Sequence, residues 1–123
     1  MILVADDHVD VRFMVHSVLR RSGFEVELAA DGEEALTRAR ERLPELVILD
    51  IMMPLMSGLE VLVQLRGSPA TRAIPVILLT AKSLGEEAAA AFDLGANYYI
   101  AKPFEAEQLL SGVRALLPQR RVD

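Results

Sequence analysis

The sequence predicts an α/β domain in which five parallel strands form one doubly wound sheet of order 2-1-3-4-5, with helices on both faces. Three short runs, at residues 2–5, 46–49 and 76–79, are rich in β-branched residues and uniformly apolar, as strands buried on both faces should be. Segments with helical spacing of apolar residues alternate with the strands. Given right-handed crossovers, this alternation with strands one, three and four most buried favours that order.

The helices are predicted from their apolar spacing and from their end signals. The first and last helices have the clearest stripes: Val11, Met14, Val15, Val18 and Leu19, then Leu109, Val113, Leu116 and Leu117. Residues that end helices stand where the patterns stop: Gly23, Pro44, Gly67 with Pro69, Gly95 and Pro118. Three pairs have capping-box spacing at helix starts: Asp31 with Glu34, Ser57 with Glu60, and Ser83 with Glu86.

The remaining two strands have a more polar character. Residues 25–29 alternate polar and apolar side chains, and residues 97–101 are also mixed. Alternation indicates a strand that is wetted on one face, so both segments suit the edges of the sheet.

Composition restricts the function classes. The 123 residues suit a single domain, predicted at residues 1–118 with a short tail at 119–123. The chain has no cysteine, which excludes disulfides, thiolate metal sites and a cysteine nucleophile. A net charge of −5 argues against direct nucleic-acid binding. No apolar run is long enough to cross a bilayer and no signal peptide is evident, so a cytoplasmic location is expected by elimination.

Polar residues follow four of the predicted strands. Asp6 and Asp7 follow the first strand, Asp50 the third, Thr80 the fourth and Lys102 the fifth. Ligands of such sheets bind beyond the carboxyl ends of the strands, where these side chains should converge. Asp31, after the second strand, is better explained as a helix cap and is left out of this site.

Three adjacent carboxylates repel one another unless a cation or a lysine joins them. Oxygen ligands favour Mg²⁺, bound directly by one of Asp6 and Asp7. Asp50 could then act as a nucleophile on phosphorus, with Thr80 and Lys102 holding phosphoryl oxygens.

The motifs resemble one known family. They run in order along the chain: Asp6-Asp7, Asp50, Met52-Met53-Pro54, Met56-Ser57-Gly58, Thr80-Ala81 and Lys102-Pro103-Phe104. This arrangement looks like the receiver domain of two-component response regulators, with its CheY-like fold, and it covers the chain to about Leu117. These elements, in the right order and at the right intervals, make a very specific match.

The resemblance implies a role for each acidic position. Asp50 would be the phosphoacceptor. Asp7 and Asp50 would bind Mg²⁺ directly, the main-chain carbonyl of Met52 would complete the shell, and Asp6 would act largely through water.

It also implies how the signal is passed on. Thr80 would follow the phosphoryl group inward, Tyr99 would rotate on strand five, and Lys102 would pair with the phosphate, with a cis bond to Pro103. The donor would be a sensor histidine kinase or a phosphotransfer protein, and a downstream effector would bind the face formed by helix four, strand five and helix five. A phosphorylation-dependent homodimer through that face is a further option. The domain would serve phosphorelay signal transduction as a switch rather than as an enzyme, although it catalyses its own phosphorylation and dephosphorylation.

Two positions depart from the commonest family pattern. Ser57 stands where an aspartate is frequent, which is harmless in a helix cap. Met52 is a bulky apolar residue, and in the family this position and that of Lys82 flank the path of the attacking water, so the lifetime of the phosphorylated form is left open.

Two other functions compete with this interpretation. A phosphatase of the haloacid dehalogenase type also uses an aspartyl phosphate, but it carries a second aspartate where this chain has Met52. A pseudo-receiver, a binding module that no longer becomes phosphorylated, normally lacks one of the aspartates or the lysine. A nucleotide-binding fold ranks last because no P-loop follows a strand.

His8 and His16 are interpreted as solvent-facing residues and not as metal ligands or phosphohistidines.

Overall fold

The computed structural model describes residues 1–81 and 90–117. The strands are β1 (Ile2–Ala5), β2 (Val26–Ala29), β3 (Leu46–Asp50), β4 (Val76–Thr80) and β5 (Tyr98–Ala101). The helices are α1 (Val9–Arg21), α2 (Gly32–Arg42), α3 (Gly58–Arg66) and the C-terminal helix (Ala106–Leu116). Residues 90–93 are also helical. The predictions at Lys82, at Ser83 with Glu86, at Pro118 and for the tail fall outside the described residues.

The sheet has the predicted topology. All four strand pairings are parallel, and the order is β2-β1-β3-β4-β5. The central strands β1, β3 and β4 are buried at every position, whereas β2 and β5 are only partly buried. The edge assignments are therefore confirmed, because a strand covered on both faces is a nearly continuous apolar run and an edge strand need not be.

The core consists of two apolar layers, one on each face of the sheet. The side chains of a strand alternate between faces, so Leu3 lies in one layer and Val4 in the other. One layer is covered by α2 and α3 and the other by α1 and the C-terminal helix. Full burial of a side chain of this size contributes roughly 1.5–3 kcal/mol, so the layers hold the strand ends in fixed positions.

Two of the predicted helix caps fall within the described residues. Ser57 and Glu60 form a complete capping box at the start of α3. Asp31 accepts a hydrogen bond from the amide of Glu34, as predicted, but the Glu34 side chain accepts from the amide of Ala30, one residue before the expected position. The C-terminal helix has a capping box that the sequence did not predict, because it begins with a glutamate, Glu105, instead of a usual N-cap residue.

No helix within the described residues combines the length and the apolar character needed to span a membrane.

Candidate functional site

The carboxyl ends of the strands place the predicted polar residues along one edge of the sheet. Asp50 is the last residue of β3, and Thr80 is the last residue of β4. Asp6 follows β1 directly, and Lys102 follows β5. Adjacent strands are in parallel register, so these residues lie on neighbouring strands at the same level of the sheet.

Asp6, Asp7 and Asp50 form an acidic cluster together with His8. One ligand atom from each of these residues lies within 4.8 Å of the others. The side chains of Asp6 and Asp50 are almost completely buried, at 0% and 3% exposure, whereas that of Asp7 is 35% exposed. Two carboxylates therefore lie in the floor of the cluster and the third at its rim.

Lys102 supplies the cation that the carboxylates require. Its Nζ atom lies 2.7 Å from Asp6 Oδ2 and 3.3 Å from Asp50 Oδ2, and its side chain is only 15% exposed. The peptide bond between Lys102 and Pro103 is cis, which is the isomer that the family resemblance implies. The lysine, which follows the edge strand β5, therefore links the two buried carboxylates.

Burial raises the pKa of the Asp50 carboxyl group above its ordinary value, and the nearby charge of Asp6 raises it further. The ammonium group of Lys102 and the amide of Met52 oppose this shift without cancelling it. Asp50 is thus a carboxylate whose negative charge is incompletely compensated by the protein, and an additional cation would stabilise its ionised form.

Gly58 allows the chain after Asp50 to fold back against β3. Its amide donates to the carbonyl of Ile51 at 2.9 Å. A Cβ atom at this position would collide with the main-chain carbonyl of Asp50. Any side chain at Gly58 would therefore displace either α3 or the phosphoacceptor candidate itself.

The other predicted site residues lie at the end of β4, two residues after Asp50 and on β5. Thr80 is 3% exposed at the end of β4. Met52 is 69% exposed, and its amide lies 3.4 Å from Asp50 Oδ1. Tyr99 is half-buried on β5, paired with Leu78 of β4.

His8 is the site residue that the sequence interpretation missed. The prediction of solvent exposure is correct, since 62% of the side chain is exposed. Its Nδ1 atom nevertheless points toward the carboxylates, at 3.0 Å from Asp6 Oδ1 and 3.4 Å from Asp7 Oδ1. The only sequence signal was adjacency to the aspartate pair. His16 is partly buried in α1, so its predicted solvent exposure holds only in part.

The donor set fits Mg²⁺. The buried atoms Asp6 Oδ2 and Asp50 Oδ2 have no hydrogen bond of acceptable geometry within the described residues, although both lie within ion-pair distance of Lys102. Buried carboxylate oxygens without hydrogen bonds are costly unless a cation is present. Carboxylates beside an open rim, with room for water and a phosphate, are what Mg²⁺ usually binds.

Comparisons with known proteins agree with this geometry. The family model for the response regulator receiver domain matches residues 2–114. The response regulator MprA of Mycobacterium tuberculosis H37Rv is 45% identical over 116 residues, which covers 94% of this chain and 50% of the relative. The Mycobacterium leprae MprA is 42% identical over 122 residues, covering 99% of this chain and 53% of that protein. The chain thus spans about half the length of the curated relatives it matches.

Solved structures give the same result. The chemotaxis protein CheY4 of Vibrio cholerae superposes with a TM-score of 0.88 at 34% identity, covering 94% of this chain and 96% of that one. The receiver domain of a sensor histidine kinase from Pseudomonas aeruginosa PAO1, with a magnesium ion coordinated in its active-site cleft, has a TM-score of 0.87 at 27% identity, covering 95% and 96%. Sheet order, acidic cluster, family model and neighbours all agree, and the chain belongs to the response regulator receiver domain family.

Proposed function

We propose that Asp50 accepts a phosphoryl group in a Mg²⁺-dependent reaction and that the domain switches conformation to control a partner. The observation that carries the proposal is the buried Asp50 carboxylate, whose Oδ2 atom lies beside Lys102 Nζ and within a cluster of two further aspartates. A buried carboxylate with a raised pKa and a charged partner is typical of a reactive group.

The proposed reaction is an in-line phosphoryl transfer. An oxygen of the Asp50 carboxylate attacks the phosphorus of a phosphohistidine on the donor, so a P–O bond forms while the P–N bond breaks. The electron pair of the P–N bond leaves with the imidazole of the donor, and the product is an aspartyl phosphate. Mg²⁺, when bound, neutralises phosphoryl oxygens and orients the donor.

The residues around Asp50 have distinct proposed tasks. Lys102 pairs with a phosphoryl oxygen, and Thr80 donates its hydroxyl to another. Asp7, at the exposed rim, binds Mg²⁺ directly together with Asp50 and the carbonyl of Met52. Asp6 acts through water, which suits its existing contacts, since one oxygen faces His8 and the other faces Lys102.

The proposed output surface includes β5 and the C-terminal helix. A groove of about 330 Å³ lies there, next to the half-buried Tyr99. It is lined by Tyr98, Tyr99, Ile100, Ala101, Gln108 and Ser111. Since Thr80 pairs with Ala101 in the sheet, a movement of Thr80 toward the phosphoryl group would alter the neighbouring strand. The same proposal includes a sensor histidine kinase or phosphotransfer protein as donor, an effector or a second copy at the groove, and a cytoplasmic location.

The test is intact-mass spectrometry after incubation with acetyl phosphate and Mg²⁺, followed over time. We expect a gain of one phosphoryl group that EDTA prevents and that Asp50→Asn abolishes. Asp31→Asn is the matched control, because Asp31 also follows a strand but caps α2, and this variant should be phosphorylated like the wild type.

Two results would contradict the proposal. No mass gain in the wild type would favour the pseudo-receiver, in which the fold is kept without phosphorylation. Continuous release of phosphate at catalytic rates would favour the phosphatase, because a switch must hold its phosphoryl group longer than a turnover intermediate.

A further inference from the structure

His8 introduces a nitrogen atom into a site that otherwise offers only oxygen. Its Nδ1 atom lies 3.0 Å from Asp6 Oδ1, 3.4 Å from Asp7 Oδ1 and 3.9 Å from Asp50 Oδ2. The ring is not buried, so packing alone does not enforce this orientation. The cause is local, because the main-chain amide of His8 also donates to Asp6 Oδ1 at 2.8 Å and turns the chain back over the carboxylates.

Two independent observations indicate that these four residues can enclose one cation. Their ligand atoms lie within 4.8 Å of one another, a spacing at which they could hold one ion. Asp6 Oδ2 and Asp50 Oδ2 are buried and have no hydrogen bond of acceptable geometry within the described residues, and they share the single ammonium group of Lys102, at 2.7 Å and 3.3 Å. The cluster is therefore an electron-rich pocket with incomplete compensation and not merely a group of solvated acidic side chains.

The nitrogen changes which ion such a pocket prefers. Mg²⁺ is a hard cation that favours oxygen ligands and gains little from imidazole. Late first-row ions such as Ni²⁺ and Zn²⁺ bind imidazole well, and their affinity for mixed nitrogen and oxygen sites exceeds that of earlier ions. A site that adds one imidazole to its carboxylate ligands should therefore discriminate between these two classes of divalent cation.

We propose that His8 is a metal-selecting ligand, whose Nδ1 atom gives the acidic site a preference for late first-row divalent ions, represented by Ni²⁺ and Zn²⁺, over Mg²⁺. The hydrogen bond between Nδ1 and Asp6 Oδ1 is lost when an ion binds, and any proton on Nδ1 passes to solvent water so that the lone pair of this nitrogen can coordinate. The inference rests on the proposed function, because it concerns the same site, but ion binding is measurable without phosphoryl transfer.

The test is calorimetric titration of the tag-free chain with Ni²⁺, Zn²⁺ and Mg²⁺ separately. Even outer partners of metal ligands are worth roughly 10- to 100-fold in affinity, so His8→Asn should weaken Ni²⁺ and Zn²⁺ binding by at least about tenfold. Mg²⁺ binding should change far less. His16→Asn is the matched control, since it removes the chain's other histidine from within α1, and it should bind all three ions like the wild type.

A second readout separates direct coordination from a general electrostatic effect. On addition of Zn²⁺, the ¹⁵N resonance of His8 Nδ1 should shift strongly, whereas that of His16 should not. The proposal is overturned if His8→Asn retains wild-type Ni²⁺ affinity, if it loses Mg²⁺ affinity by the same factor, or if the Nδ1 resonance does not move. Phosphorylation of the wild type by acetyl phosphate in Mg²⁺ shows separately whether the proposed function holds.

Discussion

Charged groups lie within the fold at both ends of the sheet, and the protein compensates them differently. At the carboxyl ends, Asp6 and Asp50 each keep a buried oxygen without a hydrogen bond from the described residues. At the amino ends of β4 and β5, the guanidinium of Arg66 donates to the carbonyl of Ile74, to the carbonyl of Gly95 through two nitrogens, and to Asn97 Oδ1.

The difference is the one expected between a charge that holds the fold together and a charge in the proposed binding site. The Arg66 guanidinium is a rigid fork of donors, and neutral oxygens of three residues accept from it, with no carboxylate of the described residues paired to it. Asn97 extends the arrangement by accepting from the amide of Val76 at the start of β4. A cluster that only holds the fold together can be saturated in this way, whereas one that must bind a cation and a phosphoryl group has to leave atoms available.

The largest expected effect is that of Arg66→Ala on stability. Hydrogen bonds to charged groups contribute roughly 1.5–3 kcal/mol, and this change leaves several acceptors without their donor, so the free energy of unfolding should fall by about 2–3 kcal/mol. Urea denaturation measures this change. Arg40→Ala is the control, because Arg40 is exposed and contacts Gln64 at 3.3 Å, and it should cost less than about 0.5 kcal/mol. Equal losses in the two variants would contradict a structural role for the Arg66 cluster.

The acidic cluster should show the opposite behaviour, with stability that depends on an added ion. A ligand that binds only the native state raises the free energy of unfolding by about 2.7 kcal/mol when its concentration is 100 times Kd. The thermal midpoint of the wild type should therefore rise with Mg²⁺ concentration. Asp50→Asn removes a proposed ligand and should flatten that dependence, whereas Asp31→Asn should preserve it. Thermal melts over a Mg²⁺ series decide between these outcomes, and a rise of the same size in Asp50→Asn would argue against Asp50 as a ligand.

Without metal, Asp50→Asn should stabilise the protein. The amide is nearly isosteric with the carboxylate and removes the repulsion between Asp50 and Asp6, as well as the cost of burying an incompletely compensated charge. We expect a gain of about 1 kcal/mol in the free energy of unfolding at neutral pH in EDTA, an amount typical of relieving one unfavourable buried contact. Destabilisation would mean that the ion pair with Lys102 outweighs both costs.

The same contrast shows how far sequence could predict this molecule. The sheet order was predictable because the central strands are apolar up to their last residues, and the converging residues were predictable because each one ends a strand or directly follows one. Ser57 and Glu60 carry a local spacing that a helix start requires. In each of these cases the cause lies within a few residues of its effect.

The features that sequence did not reveal depend on contacts between distant segments or on a residue type that is uncommon at its position. Arg66 is an ordinary basic residue at the end of a helix, and its partners are mostly main-chain carbonyls, which leave no trace in the side-chain pattern. His8 is a single exposed histidine, and its orientation follows from a hydrogen bond between its own amide and Asp6. Glu105 caps a helix although glutamate is rarely an N-cap residue.

The smallest expected effect is a pH dependence that follows from the raised pKa of Asp50. Since the carboxyl group binds its proton more tightly in the folded state, protonation favours folding. The stability contributed by this group is fully present below the ordinary value of 3.8 and is lost as pH rises through the raised pKa. Metal-free wild type should therefore lose stability relative to Asp50→Asn as pH increases across that window, and the difference in the free energy of unfolding should become constant above it.

Urea denaturation of both proteins in EDTA, from below pH 3.8 to neutrality, measures this difference. A difference that stays constant across the whole range would show that Lys102 compensates Asp50 as completely as the carbonyls compensate Arg66.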